Sequence, residues 1–168
     1  MTARDYGSAP AYCPRCAAAL PGVPPTRCAA CGDQLFLNAR PTAGLVIVEQ
    51  GRFLALRRVR EPQAGRWELP GGFCDGPEHP ADAAVREARE ELGVEVALGA
   101  LVGMYPGNYR FQDELLPVLD IYFRARIVAG EITPDPAEAD AVEWFDLGDP
   151  PPLAFSTMDA ALRDLHRT

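Results

Sequence analysis

The chain of 168 residues contains no lysine, so its 16 basic residues are all arginines, which stand against 24 acidic residues. The formal net charge of −8 argues against a general affinity for the nucleic-acid backbone. Any phosphate contact must therefore come from guanidinium groups, backbone amides or a metal ion. Apolar runs approaching the ~20 residues that span a bilayer are also missing, as is an apolar signal segment at the start. These absences predict no membrane partner and a cytoplasmic location.

Four of the five cysteines form two close pairs near the N-terminus, with two residues inside each pair and eleven between the pairs. They are Cys13, Cys16, Cys28 and Cys31. Two such knuckles are typical of a closed, structural zinc site with four thiolate ligands, with disulfide bonds or free thiols as alternatives. Segments this short cannot bury a core of their own. We therefore predict a zinc ribbon over residues 1–38 and a second domain over residues 39–168.

A helix is predicted between Pro80 and Gly93. Proline suits the first helical turn, and glycine suits the position just past the last turn. Apolar residues recur between them at helical spacing, on a side that should pack against a sheet. These residues are Ala81, Ala84, Val85, Ala88 and Leu92.

The other side of this helix carries Glu87, Glu90 and Glu91. Like charges at these spacings destabilise a bare helix by about 0.2–0.5 kcal/mol per pair, so folding alone gives little reason for them. A divalent cation such as Mg²⁺ or Mn²⁺ would reverse the sign of the interaction, because hard cations prefer carboxylate oxygens. The alternative is a solvated acidic surface. The glycine pair Gly71 and Gly72 favours the cation, since it lets the backbone approach a metal or phosphate closely.

The whole segment resembles the Nudix box, G-x5-E-x7-R-E-U-x-E-E-x-G-U with U apolar. The matching residues are Gly72, Glu78 and the run from Arg86 to Val94, preceded by the lead-in Trp-Glu-Leu-Pro-Gly-Gly that begins at Trp67. Nudix hydrolases cleave diphosphates linked to another moiety, most often a nucleoside, with a bound divalent metal. The resemblance implies an α/β class fold, the Nudix α/β/α sandwich with a mixed sheet between helices.

The resemblance also implies roles for individual residues. The Gly71 carbonyl and Glu87, Glu90 and Glu91 would be metal ligands, one of the glutamates acting as base, while Arg86 orients a glutamate and Glu78 fixes the loop. Glu138 would add a catalytic carboxylate from a loop outside the box, with Asp113 or Glu114 as alternatives. Candidates for substrate binding are Arg57 and Arg66 near the catalytic loop and Tyr105 and Tyr109 after the box. Ordinary packing or surface exposure is the alternative for these four.

A zinc ribbon followed by a Nudix domain resembles the NADH pyrophosphatase-like branch, but residues 104–110 lack the downstream motif of that branch. We expect a metal-dependent hydrolase of a nucleoside diphosphate derivative of the NADH, ADP-ribose or FAD type. Its partner would be a small nucleotide, and a homodimer is left open. One alternative is a catalytically weak nucleotide-binding module that regulates a partner through its zinc ribbon. Another is isomerase chemistry on isoprenoid diphosphates, for which Cys74 is the candidate cysteine.

Periodicity and turn residues predict the remaining elements. Strands are expected over residues 43–50, 53–58, 95–105 and 117–128, and another ends at residues 142–145. A closing helix is expected over residues 154–166.

Overall fold

The computed structural model describes residues 9–111 and 114–165. The chain divides into two compact units, one of residues 1–39 with 108–117 and the other of residues 40–107 with 118–168. The sequence did not indicate that residues 108–117 would group with the N-terminal segment. The domain boundary between residues 38 and 39 stays a prediction.

The smaller unit contains a short antiparallel hairpin of β1 (Thr26–Arg27) and β2 (Gln34–Leu35). Its buried hydrophobic cluster consists of Cys13, Cys28 and Leu35, with only two partly buried residues packed against them. So small a cluster supplies little hydrophobic stabilisation. The four cysteines therefore lie where an additional source of stability is needed.

A second sheet has seven strands. They are β3 (Arg40–Glu49), β4 (Arg52–Arg58), β5 (Trp67–Glu68), β6 (Gly71–Phe73), β7 (Glu95–Phe111), β8 (Glu114–Ala129) and β9 (Ala139–Asp146). Strand β3 is central: it pairs antiparallel with β4 and β6 and parallel with β8. Strand β4 pairs antiparallel with β5 and β9, and β7 lies beside β8. The sheet is therefore mixed, as the resemblance implied.

Two helices pack on opposite faces of this sheet, and the alternation of side chains along β3 divides the core between them. Leu45 and Ile47 belong to the cluster that contains the buried face of α1 (Pro80–Leu92). Val46 belongs to the other cluster, which contains the buried face of α2 (Ser156–Asp164). The α/β class and the Nudix sandwich expected from the sequence are confirmed.

Some expected elements differ in detail. The strands expected to end at residue 105 and to begin at residue 117 extend to Phe111 and from Glu114, through prolines and glycines that strands disfavour in general. On α1, Ala83 is fully buried and Ala81 only half-buried, so the packed side is rotated slightly from the expected one. Helix α2 is shorter than expected, and the expected end at His166 falls outside the described residues.

Within residues 9–111 and 114–165, no helix is both long and apolar enough to cross a membrane. The cytoplasmic location stays a prediction.

Candidate active site

The glycine loop of β6 fits closely between β3 and α1. Gly71 has a φ of 145°, and a Cβ atom there would overlap the carbonyl of Ala43 and the backbone of Gly44. A Cβ atom on Gly72 would overlap the carboxylate of Glu87. Glycine is therefore required at Gly71 for the approach of two strands, whereas at Gly72 it makes room for the carboxylate of Glu87.

Helix α1 is fixed at both ends by local signals. The side chain of His79 accepts a hydrogen bond from the Ala81 amide at 3.1 Å, and Pro80 occupies the first turn. Gly93 ends the helix in the left-handed conformation with a φ of 69°, and its amide donates to the Arg89 carbonyl. These caps set the helix register, which places the glutamates of the last two turns beside the glycine loop.

Arg86 gathers three carboxylates. It donates to both carboxylate oxygens of Glu78 at 3.0 Å, to Glu87 at 2.8 Å and to Glu90 at 2.7 Å. It also donates to the Phe73 carbonyl at 3.0 Å. These hydrogen bonds, chiefly those to Glu78, raise the pKa of Arg86 further, so its charge is permanent. Arg86 therefore ties the loop to the helix and limits the rotation of Glu87 and Glu90.

Glu91 is buried, with 6% of its surface exposed, and accepts a hydrogen bond from the Gly71 amide at 2.8 Å. Burial raises its pKa well above the ordinary value, and the charges of Glu68 and Glu87 add to the rise. Burial likewise raises the pKa of Glu87. The alternative of a solvated acidic surface is therefore wrong for Glu91 and holds only for Glu90, which is exposed. Partly buried carboxylates that are crowded beside a glycine loop are suitable ligands for a hard divalent cation.

Glu68 is a further carboxylate near this site. The sequence pattern identified it only as part of the lead-in and predicted no role for it. It is 6% exposed and forms an ion pair with Arg58 on the neighbouring strand. Burial raises its pKa to about 7, although the Arg58 charge opposes the rise. The signal that could have identified it is a glutamate between the apolar residues Trp67 and Leu69 in a short strand.

Glu138 lies directly before β9 and comes close to the glutamates of α1. Its carbonyl accepts from the Val59 amide at 3.0 Å, and its carboxylate accepts from Arg60 at 2.7 Å. Burial is the main cause of the raised pKa values of Glu87 and Glu91, and the Glu138 charge contributes to both. The segment before β9 is also tied to α1, because the Asp135 amide donates to the Glu91 carbonyl at 3.0 Å. Of the two alternatives, Asp113 falls outside the described residues and Glu114 begins β8 in the smaller unit.

Of the four expected substrate-binding residues, Arg57 lies in β4, Arg66 directly before β5, and Tyr105 and Tyr109 in β7. Arg57 donates to Asp140 at 2.7 Å and lies over the Trp67 ring, 5.8 Å from its centroid. The remaining three are placed as follows: Arg66 is exposed, the Tyr105 hydroxyl donates to Asp164 at 3.1 Å, and Tyr109 belongs to the smaller unit. Their contribution to substrate binding stays a prediction.

Cys74, the candidate nucleophile of the isomerase alternative, is half-buried against the α1 core. Burial raises the pKa of its thiol, with a further rise from the charge of Glu78. A raised pKa lowers the thiolate fraction and with it the reactivity, so the environment does not activate this cysteine.

The ribbon cysteines converge without forming disulfides. Their four sulfur atoms all lie within 4.8 Å of one another, with Cys13 and Cys31 3.7 Å apart and Cys16 and Cys28 3.6 Å apart. A disulfide needs about 2.05 Å. Sulfurs around a tetrahedral ion at a Zn–S distance of ~2.3 Å lie about 3.8 Å apart. Backbone hydrogen bonds from Cys31 and Ala30 also lower the pKa of Cys28 to about 7, which favours a thiolate. The set fits a zinc ion.

Known proteins that resemble this chain identify its family. The NUDIX domain profile matches residues 38–165. An ADP-ribose pyrophosphatase of Methanocaldococcus jannaschii is 32% identical over 122 residues, covering 73% of this chain and 70% of the relative. The NAD-capped RNA hydrolase NudC of Pseudomonas aeruginosa is 33% identical over 127 residues, covering 76% of this chain but 43% of NudC. The MutT Nudix hydrolase structure from Burkholderia pseudomallei superposes with a TM-score of 0.68 at 32% identity, covering 76% of this chain and 98% of that chain. The chain therefore belongs to the Nudix hydrolase family.

Proposed function

We propose that the chain hydrolyses the diphosphate linkage of a nucleoside diphosphate derivative, with ADP-ribose as the leading candidate. The observation that carries the proposal is the position of Glu87 and Glu91 against the glycine loop, with Glu91 buried and held by the Gly71 amide and Glu90 bound to the same Arg86 as Glu87. Hydrolysis of ADP-ribose would consume one water and release AMP and ribose phosphate.

The metal ligands in this proposal are the box glutamates and the Gly71 carbonyl, and the ion is Mg²⁺ or Mn²⁺. When bound, a divalent cation neutralises diphosphate charge and lowers the pKa of the attacking water. Arg86 orients Glu87 and Glu90 through its hydrogen bonds. Glu138 adds a further carboxylate to the cluster, because bridging cations on a diphosphate need more anionic oxygen than one helix face supplies. One of these glutamates accepts the proton of the water.

The substrate class rests on two kinds of support. The relatives carry the names ADP-ribose pyrophosphatase and NAD-capped RNA hydrolase, both of which indicate a diphosphate flanked by two larger groups. The net charge of −8 favours a free nucleotide over a capped RNA. NADH and FAD remain in the class, and nucleoside triphosphates are expected to be poorer substrates.

The cysteine set would hold one Zn²⁺ in a structural role. Four thiolates close a tetrahedral coordination sphere and leave no position for water or substrate. The support is the convergence of the four sulfur atoms within 4.8 Å of one another.

A hydrolysis screen tests the proposed function. Purified protein with Mg²⁺ or Mn²⁺ is assayed against ADP-ribose, NADH, FAD, a diadenosine polyphosphate, NAD-capped RNA and nucleoside triphosphates. We expect AMP release from ADP-ribose or a dinucleotide, abolished by EDTA. Preference for a triphosphate would overturn the substrate class. Nucleotide binding without any hydrolysis would instead favour the regulatory alternative.

A further inference from the structure

Arg60 is not one of the proposed catalytic residues, but it donates a hydrogen bond to Glu138, which is one of them. Its Nη1 atom donates to Oε1 of Glu138 at 2.7 Å. Both side chains are accessible, 58% exposed for Arg60 and 40% for Glu138. An ion pair this exposed contributes little to stability, typically less than about 1 kcal/mol. The ion pair can nevertheless determine the position of the Glu138 carboxylate.

The backbone that carries Glu138 is clamped on both sides. Towards α1, the amide of Asp135 donates to the Glu91 carbonyl at 3.0 Å, and the amide of Glu138 itself donates to Asp135 at 2.9 Å. Towards β4, the Val59 amide donates to the Glu138 carbonyl at 3.0 Å. The position of the Glu138 backbone is therefore set by hydrogen bonds, and the rotation of its side chain is the freedom that is left.

Electrostatic repulsion acts on that rotation. The segment that carries Glu138 is hydrogen-bonded to the C-terminal turn of α1, where the Asp135 amide donates to the Glu91 carbonyl at 3.0 Å, so Glu138 lies near the acidic end of this helix. A half-exposed carboxylate among like charges gains by turning towards solvent. The hydrogen bond from Arg60 opposes this turn, because it fixes Oε1 and neutralises part of the charge. The second oxygen, Oε2, is left for another partner.

We propose that Arg60 is a positioning residue, which holds the Glu138 carboxylate beside the box glutamates so that its second oxygen can join the metal cluster. The inference rests on the proposed function, since it assumes that Glu138 works together with the box glutamates. Residues that orient a metal-ligating carboxylate typically change metal affinity or activity by about 10–100-fold when removed. Arg60 would act through Glu138 and would not touch the substrate.

A double-mutant cycle tests this role. The variants are Arg60→Met, which keeps the aliphatic stem but no donor, Arg60→Lys, Glu138→Gln and the double variant Arg60→Met/Glu138→Gln. Mn²⁺ affinity is measured by electron paramagnetic resonance, and kcat and KM are measured on the best substrate of the screen. Arg89→Met is the matched control, because Arg89 donates to Glu95 at 2.7 Å in a pair of similar exposure, 55% and 49%.

We expect Arg60→Met to weaken Mn²⁺ binding and lower kcat by about tenfold or more, with Arg60→Lys restoring part of both. In the Glu138→Gln background, Arg60→Met should add nothing, and Arg89→Met should behave like the wild type. The Mn²⁺ measurement needs no substrate, so it decides the role of Arg60 even if the screen finds no hydrolysis.

Three results would overturn the proposal. Tighter Mn²⁺ binding by Arg60→Met would show that Arg60 competes with the metal for Glu138. A full additional loss in the double variant, or a raised KM at unchanged kcat, would assign Arg60 a direct contact with the diphosphate. Wild-type Mn²⁺ affinity and kcat in Glu138→Gln would remove the group through which Arg60 is supposed to act.

Discussion

Glu91 is the residue at which the needs of the fold and of the site conflict most clearly. Its carboxylate is buried, receives a hydrogen bond from the Gly71 amide, and has Glu68 and Glu87 as negative neighbours. Burying a charge without a counter-charge is unfavourable, whereas a bound cation would compensate it. The metal-free protein therefore gives up stability at this position in order to keep a ligand in place.

Replacing this charge should separate stability from activity. Glu91→Gln is expected to stabilise the metal-free protein by about 1–3 kcal/mol at pH 8, the range for a poorly satisfied buried polar group. Because the pKa of Glu91 is raised on folding, this gain should shrink as the pH falls towards the ordinary pKa of glutamate, since the buried carboxyl is then protonated and no longer a charge in the folded protein. Urea unfolding in EDTA at pH 8 and pH 4.5 measures the difference.

Hydrolysis by the same variant should fall by about 100-fold or more, the range of a lost catalytic carboxylate. Glu90→Gln is the control, because Glu90 is exposed: activity should fall, but stability should change by less than about 0.5 kcal/mol. A Glu91→Gln protein that is less stable than the wild type at pH 8 would contradict the assignment of Glu91 as an unfavourable buried charge.

Gly72 offers a second test at the residue scale. A methyl group at this position would overlap the Glu87 carboxylate, which must then move away from the loop. We expect Gly72→Ala to fold, because the φ of Gly72 is not in the left-handed region. It should bind Mn²⁺ about tenfold more weakly, because the Glu87 carboxylate is displaced. Gly22→Ala is the control, because nothing lies within 4 Å of a Cβ atom there. Wild-type Mn²⁺ affinity of Gly72→Ala, measured by isothermal titration, would contradict a ligand role of Glu87.

At the scale of the elements, Arg58 connects β4 to β5, to the loop between them and to the residue before α2. Its guanidinium pairs with Glu68 on β5, its Nε donates to the Pro62 carbonyl at 2.9 Å, and it lies 5.3 Å from the centroid of the Phe155 ring before α2. The pair is nearly buried on both sides. Breaking a buried pair by removing one partner is strongly destabilising, because the other charge is left uncompensated.

The stability of an Arg58→Met variant should depend on pH. The pKa of Glu68 is about 7 in the fold, so the stability associated with this group is present below the ordinary glutamate pKa and is lost as the pH rises through about 7. Without Arg58 the pKa should rise further, and the deficit relative to the wild type should grow with pH. We expect a loss of about 3 kcal/mol or more at pH 8 and a smaller loss at pH 5.

Denaturant unfolding in EDTA at the two pH values measures this loss. Arg89→Met, which removes an exposed ion pair, should cost less than about 1 kcal/mol at either pH. An Arg58→Met deficit that is equal at pH 5 and pH 8 would show that lost packing, and not the Glu68 charge, is responsible.

For the whole molecule, the two compact units have separate sources of stability. The larger unit has two hydrophobic clusters around its sheet, whereas the described part of the smaller has one cluster of three buried residues and four convergent thiols. Metal binding to such a thiol set contributes directly to folding free energy. The glutamate site belongs to the larger unit, so its chemistry should not need the zinc.

Removing one thiol should therefore affect zinc and activity differently. Wild-type protein should contain one zinc per chain by elemental analysis, and Cys31→Ser should lose it while kcat stays within a few-fold of the wild type. Ala18→Ser is the control, since it changes a neighbouring position without removing a ligand. Zinc-free wild-type protein that folds normally would refute the zinc site. A Cys31→Ser protein with an intact larger unit but no hydrolysis would show that the catalytic site needs the ribbon.

Local patterns in the sequence were sufficient to predict features that depend on residues close together in the chain. Pro80 and Gly93 predicted both ends of α1, and the spacing of Glu87, Glu90 and Glu91 predicted that their carboxylates would crowd together. The sulfur convergence was likewise predictable, because two short knuckles leave little geometric choice.

Features that depend on distant pairing were not predictable. The burial of Glu91 and the ion pair of Glu68 with Arg58 follow from where β5 and β6 lie, which the sequence does not encode locally. The contact between Arg60 and Glu138 joins residues 78 positions apart. The grouping of residues 108–117 with the N-terminal segment is another non-local property.

Strand β3 has a consequence for hydrogen exchange. Over residues 42–44 both of its edges are occupied, by β6 on one side and β8 on the other, and Gly71 pairs directly with Gly44. A strand flanked on both sides opens only when the sheet opens, so its amides should exchange with deuterium at the rate set by global unfolding. The Gly71 carbonyl proposed to bind the metal would then keep its position until the sheet itself opens. The Glu138 carboxylate, in contrast, can change position by side-chain rotation, which is a much faster motion.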